Sequence, residues 1–326
     1  MMKSNRLAHL CVALVMFLVV AMAADAEWVL SHATGRLIPI KRLPKETPEL
    51  QVEYARSLMT QGDFNKAWEE TDKFVKFYGD DPDFADDNQF IRGEIRFAQA
   101  KYMDAAREFQ QVVSVYPDTD LFDQVIAKQY EIADTFYDLG MAKRGQAWWR
   151  PFKTRPFGKA IKVYAMVIDN QPFTAAAAEA QYKVGLCHYA LDEYVEAAFE
   201  YSRVIEDYSG SDWVDEACFG LAMCYYEGSY PAEYDQGPGR LAIAAIDDFK
   251  ARFPGDSRIP ELDAKRAEMR NVIAMQRMNT AKFYEKRRRF RAAELCYEVV
   301  AEQFADTASA GEARAWLAQH RAGMEG

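Results

Sequence analysis

The sequence is poor in the residues that most often carry chemistry. It has four histidines in 326 residues and five cysteines, with no C-x-x-C or other metal-ligand spacing. A zinc or haem centre needs its ligands clustered. His32, His188 and His320 are scattered and have no partner four residues away, so they read as structural or surface side chains. No G-x-S-x-G, H-E-x-x-H or phosphate-loop signature is present. Gly237-Pro238-Gly239 reads as a turn, and the carboxylate pairs Asp80-Asp81 and Asp86-Asp87 read as helix caps. No catalytic residue, cofactor-binding residue or metal ligand is expected, so neither is enzymatic activity. Positive charge is also in deficit, with 40 Lys and Arg against 50 Asp and Glu and a net charge of −10. Nucleic-acid binding needs a basic field that replaces counterions, and no nucleic-acid partner is expected. After Val20 no apolar stretch approaches the ~20 residues that span a bilayer.

The chain does carry an apolar N-terminal run. Met1-Met2-Lys3-Ser4-Asn5-Arg6 is basic, Leu7 to Val20 is apolar apart from His9, and Ala21-Met22-Ala23-Ala24-Asp25-Ala26 is small. This is the pattern of a secretory signal peptide cleaved after Ala23 or Ala26, with an uncleaved anchor as the other reading. Export to the periplasm is expected, with peripheral contact at the outer membrane. Of the cysteines beyond the leader, Cys187 and Cys224 hold the same place in successive repeats. They are either small buried apolar side chains or a bridge between neighbouring hairpins, and Cys218 and Cys296 have no evident pairing.

The dominant pattern is a pair of small residues twelve apart. Ala55/Ala67, Gly93/Ala105, Gly185/Ala197 and Ala281/Ala293 keep the interval, whereas Ala133/Ala160 and Ala222/Ala242 hold insertions of 15 and 8 residues. Three residues before the second member there usually stands an aromatic: Phe64, Tyr102, Phe157, Tyr194 or Phe290. Antiparallel helices that cross closely need Gly or Ala at the contact. Six helical hairpins are therefore expected, stacked in a right-handed superhelix of tetratricopeptide type, all-α, with a short non-helical arm at the N-terminus. The expected segments are a signal peptide at 1–26, an extended arm or short strands at 27–46, N-terminal repeats with an insertion at 47–156, and further repeats at 157–326. The sixth hairpin is expected to have a long first helix over about Pro260 to Glu285, followed after Ala308 by one short helix ending at Gln319.

The interval from Ala160 to Ala197, and from Gly185 to Ala222, is 37 residues, longer than the usual tetratricopeptide period of about 34. Gly239-Arg240-Leu241-Ala242 through Asp247-Asp248-Phe249, then Arg252-Phe253-Pro254-Gly255-Asp256-Ser257, follows an insertion. Ala281-Lys282-Phe283-Tyr284-Glu285-Lys286-Arg287-Arg288 closes a long helix. From about Phe157 to Thr307 this resembles the BamD (ComL) family of outer-membrane assembly factors. The resemblance implies a non-enzymatic periplasmic scaffold that binds proteins during β-barrel assembly and insertion, with a BamA-like barrel and client peptides as partners. Arg287 aligns with the family's turn arginine, and the family's turn glycine is Arg288 here. Lipidated members carry a cysteine after the small residues that end the apolar run, whereas Cys11 lies mid-run. Two extra hairpins precede the similar region, and the family's last repeat is shortened. The alternative reading is a tetratricopeptide adaptor of another envelope system, Tol-Pal-like or regulating a cell-wall enzyme.

Three places are candidates for partner binding. Trp148, Trp149 and Arg150 form either a loop folded back on the third hairpin or an aromatic-basic belt for a partner or headgroup surface. Arg287, Arg288 and Arg289 belong to Lys286-Arg287-Arg288-Arg289-Phe290-Arg291, which is either a solvated turn or a dock for an acidic surface. Arg92, Arg96, Tyr130, Gln181, His188 and Tyr225 flank the small residues of the first helices, where they are either groove lining for a bound peptide or ordinary surface.

Overall fold

The computed structural model describes residues 28–30, 37–39, 42–79, 81–143, 156–229, 231–232 and 234–325. The leader, most of the arm and the Trp148-Trp149-Arg150 stretch lie outside the described residues. In the arm, β1 (Trp28–Leu30) pairs antiparallel with β2 (Leu37–Pro39), Val29 opposite Ile38. The chain divides into two compact units, Met1–Val125 and Ile126–Gly326.

The first unit holds α1 (Pro48–Thr60), α2 (Phe64–Tyr78), α3 (Ala85–Ala98) and α4 (Tyr102–Val115). Thr47 caps α1 by accepting from the Leu50 amide, and Pro48 opens the helix where its missing N–H is not needed. α5 (Phe122–Lys143) starts in this unit and continues into the second. There follow α6 (Phe157–Asn170), α7 (Ala175–Ala190), α8 (Tyr194–Asp207), α9 (Val214–Glu227), α10 (Gly237–Arg252), α11 (Ile259–Lys286), α12 (Phe290–Gln303) and α13 (Ala308–Glu325). The fold is an all-α array of helical hairpins.

The small residues sit where the helices cross. Ala55, Ala67, Ala105, Ala133, Ala160, Ala197, Ala222, Ala242, Ala281 and Ala293 are fully buried. A Cβ on Gly93 would lie 2.5 Å from the Phe109 ring, so an alanine there would collide with the facing helix. Tyr201 of α8 is held on both sides. A Cβ on Gly185 of α7 would come within 2.6 Å of its ring, and one on Gly220 of α9 within 2.7 Å.

The repeated aromatics Phe64, Tyr102, Phe157, Tyr194 and Phe290 each begin the second helix of a hairpin. In four of these hairpins, the residue two places earlier turns the chain through the left-handed region: Gly62, Ala100, Asp192 and Arg288, with φ of 81°, 57°, 62° and 57°. This closes the first helix with a backbone bond back along the last turn, as from the Arg289 amide to the Tyr284 carbonyl at 3.0 Å.

The hairpins also share a polar clasp. In the first, Gln51 Nε2 donates to the Glu70 carbonyl at 2.9 Å and to its carboxylate at 2.8 Å. In the second, Gln89 Nε2 reaches the Glu108 carbonyl at 3.0 Å and carboxylate at 2.8 Å. In the fourth, Gln181 Nε2 donates to the Glu200 carboxylate. The glutamine always precedes the first small residue by four and the glutamate follows the second by three. Gln51 is fully buried and its Oε1 also accepts from the Lys45 amide at 2.7 Å, which ties the arm to the first hairpin. Gln51→Leu is expected to lower stability by about 2 kcal/mol, because it leaves the buried Glu70 carboxylate with Lys73 as its remaining donor and the Lys45 amide without its acceptor. Urea denaturation checks this, and an unchanged midpoint would show that the clasp contributes nothing.

Two helices extend beyond their expected ends. α11 runs to Lys286, one residue further than expected. α13 is 18 residues long and reaches Glu325, where a short helix to Gln319 was expected. The correction has a packing reason. Trp316 stacks on Tyr297 at 4.3 Å and on His320 at 4.6 Å, and His320 lies 5.4 Å from the Phe290 ring. This stack anchors the helix beyond Leu317, and of the helical residues that follow His320, all but Gly323 are good helix formers.

Candidate partner-binding surface

The residues flanking the small positions take up contacts within the hairpins. Arg92 and Arg96 lie 3.9 and 3.6 Å from the Trp68 ring centre, so two guanidinium groups share one indole. Arg92 also donates to Asp72 at 2.6 Å and to Thr71 at 3.3 Å, and lies 3.5 Å from Glu108. Arg96 donates to Gln99 at 3.2 Å. Both arginines thus hold α3 against α2. Gln181 is buried in its clasp, and its Oε1 has no hydrogen-bond partner. His188 Nδ1 meets the Glu193 carboxylate at 2.8 Å, across the turn between α7 and α8. Tyr225 packs beside the cluster of Ala197, Tyr201 and Cys224, and burial raises its pKa.

Tyr130 belongs to a closed network in the second unit. Its hydroxyl donates to the Ala176 carbonyl, and burial followed by the Glu179 and Asp134 charges pushes its pKa up. Lys183 bridges Asp134 at 2.8 Å and Glu179 at 3.1 Å, and Tyr164 donates to Asp134. The Cys187 thiol is pushed up to about 12, first by burial and then by Asp134. A thiol held that high stays protonated near neutral pH and is a poor nucleophile. Cys224, buried like Cys187, is pushed up to about 12 as well. All four cysteines beyond the leader are free thiols in the structure. Among the described residues no group of three His, Cys, Asp or Glu could hold a metal ion, and no helix is long and apolar enough to cross a membrane.

The α11–α12 turn is different in kind. Arg287, Arg288 and Arg289 are exposed, as are Lys286 and Arg291. Beside them an open pocket of about 760 Å³ is lined by Asn279, Lys282, Phe283, Glu285, Lys286, Arg288 and Phe290. Three cations face it together with two aromatic walls, and Phe283 and Phe290 are 50% and 44% exposed. Glu285 is held by the Tyr297 hydroxyl at 2.8 Å, and Lys282 by Glu312 at 2.7 Å. Such a surface suits a ligand that joins negative charge to apolar surface. Of the residues singled out in the sequence, the structure brings Arg287, Arg288 and Arg289 together on one exposed surface, and it ties Arg92, Arg96, Tyr130, Gln181 and His188 into internal contacts. Phe283 and Phe290, the apolar half of the site, are not among them. In the sequence Phe290 reads only as the repeat aromatic.

A family model described as YfiO, outer membrane lipoprotein, matches residues 150–324, a span that contains this turn. The chain belongs to that family. A tetratricopeptide repeat model matches residues 87–119, within the second hairpin and its end. Among curated relatives, the chain is similar to the outer membrane protein assembly factor BamD of Caulobacter vibrioides. They are 24% identical over 157 residues, which is 48% of this chain and 52% of the relative. The chain thus spans about half the length of the curated relative it matches. Among solved structures, it is similar to a tetratricopeptide protein of Thermus thermophilus, at 15% identity and a TM-score of 0.32 over 68% of this chain and 98% of that one. It is also similar to one from Parabacteroides merdae, at 16% identity and a TM-score of 0.33 over 78% and 91% of the two chains. A third is the C-terminal part of a Cytophaga hutchinsonii repeat protein, at 15% identity and a TM-score of 0.35 over 82% and 88%.

Proposed function

We propose that the protein is a periplasmic scaffold for the assembly and insertion of outer-membrane β-barrel proteins. It acts by recognition, without covalent chemistry and without a cofactor. The supporting observation is that the residues matched by the outer membrane lipoprotein family include the exposed basic turn and its aromatic-walled pocket. On this reading the hairpins hold client segments or partner proteins, and the end of the array built by α11, α12 and α13 faces the membrane-embedded machinery, a BamA-like barrel. Export and peripheral residence at the outer membrane belong to the same proposal.

The test is affinity capture of the tagged protein from detergent-solubilised envelopes, under conditions that keep other envelope complexes intact. A BamA-like barrel protein is expected in the eluate. Its absence would remove the assembly role and leave an adaptor of another envelope system as the reading to pursue.

A further inference from the structure

We propose that the turn between α11 and α12 docks on an anionic membrane surface, with phospholipid phosphate groups as its ligands. The inference deepens the proposal above and rests on its envelope placement.

The charge at this turn is unpaired. Lys286, Arg287, Arg288, Arg289 and Arg291 are five cations in six residues, and among the described residues none of them forms an ion pair. Four other cations of α11 are paired. Lys265 meets Glu261 at 3.8 Å, Arg266 meets Asp247 at 2.7 Å, Arg270 meets Asp306 at 2.6 Å and Lys282 meets Glu312 at 2.7 Å. Uncompensated positive charge is therefore gathered at one turn of a chain whose net charge is −10. An anionic surface would repel the chain as a whole and attract this turn.

The second observation is apolar. Phe283 and Phe290 flank the cations, each about half exposed, and the Arg287 guanidinium lies 4.6 Å from the centre of the Phe283 ring. Aromatic rings beside cations match the boundary between headgroups and acyl chains, where one end of the contact is charged and the other apolar. The neighbouring pocket repeats the juxtaposition, since Lys282, Lys286 and Arg288 line it together with the two phenylalanines. An acidic protein surface would have to position carboxylates for five diverging cations. Mobile phosphates in a fluid leaflet adapt to them.

The third observation is conformational. Arg288 has φ of 57°, at the place where three other hairpins hold Gly62, Ala100 and Asp192. Glycine meets no steric penalty in this region and arginine does. Glycine, alanine and aspartate all serve at this position, so the turn geometry does not call for an arginine there and leaves its charge available to a ligand.

The experiment uses the full-length protein and vesicles of phosphatidylcholine with or without phosphatidylglycerol, read by co-sedimentation. Binding is expected with phosphatidylglycerol and not with phosphatidylcholine alone. Replacing Arg287, Arg288 and Arg289 together by Glu should weaken it by roughly a hundredfold, at about one factor of five per cation removed. The N-terminal leader is common to both proteins and cancels in the comparison. Arg288→Gly separates binding from folding, because it should raise thermal stability while weakening vesicle binding roughly fivefold.

Equal binding to both vesicle types, or an undiminished triple variant, would overturn the inference. So would displacement by inorganic phosphate at constant ionic strength, which marks a small-anion site. If the triple variant loses a co-purifying barrel protein while vesicle binding is unchanged, the turn is a protein contact: the lipid inference fails and the assembly reading stands. If vesicles bind as expected and no barrel protein is recovered, the lipid inference stands and the assembly reading fails.

Discussion

Gly185→Ala is expected to destabilise the protein by about 2 kcal/mol, and Gly220→Ala by a similar amount, because each forces a methyl into the Tyr201 ring. Overpacking is often relieved by a side chain that swings aside. Tyr201 is 1% exposed and is contacted from α7 on one side and α9 on the other, so moving away from one methyl drives it toward the other helix. The double variant should therefore lose more than either single one. Gly311→Ala is the control: nothing lies within 4 Å of its would-be Cβ in α13, and alanine there should stabilise by about 0.5–1 kcal/mol. Denaturation midpoints check all four proteins. If the two glycine variants matched the parent, the close approach at Tyr201 would not govern packing.

Arg258→Ala is expected to cost about 2–3 kcal/mol. Its guanidinium donates twice to Asp256, at 2.7 and 2.9 Å, and once to Glu216 at 2.8 Å. It also lies 4.7 Å from the Phe219 ring centre and 5.3 Å from that of Phe249. One side chain thus joins the start of α11 to α9 and to the aromatic core beneath it. The pair also carries a pH signature. Hydrogen bonds from Arg258 lower the Asp256 pKa to about 2. A carboxylate depressed on folding contributes stability above its unfolded value of about 3.9, and that contribution is lost as pH falls toward 2. In Arg258→Ala the Asp256 carboxyl returns toward its ordinary value, so the loss of stability between about pH 4 and 2 should be shallower than in the parent. Equal acid slopes for the two proteins would contradict the assignment.

The hairpins were legible in the sequence because close helix crossings tolerate only Gly or Ala, and this shows as a fixed interval that six pairs obey or interrupt. The aromatic at the head of five second helices was legible for the same reason, since Phe64, Tyr102 and Tyr194 mark a turn of constant length. What depends on partners across two helices was not. Arg92 and Arg96 stand close to Gly93 in the chain, yet only helical phase and the position of Trp68 decide that both lie on that ring. The Gln–Glu clasp keeps a constant separation of 19 residues in three hairpins, but that spacing acquires meaning only once the helices are known to cross between its ends. The length of α13 was missed because a stack through Tyr297, Trp316 and His320 is a tertiary fact. The basic run was visible as charge, but its two exposed phenylalanines read as part of the repeat.

The clasp is unevenly distributed. Its positions hold Cys218 and Ala245 in the fifth hairpin, and Arg277 and Cys296 in the sixth. Apolar surfaces tolerate small sliding that a directional hydrogen bond resists. The helices that carry the basic turn are joined elsewhere along their length, by Arg270 to the Gln303 carbonyl at 2.8 Å and by the Tyr297 hydroxyl to Glu285 at 2.8 Å, while the first, second and fourth hairpins are pinned by Gln–Glu bonds. A force that slides one helix past the other would meet a directional bond at the clasp positions of those three hairpins, and only packed side chains at the same positions of the last.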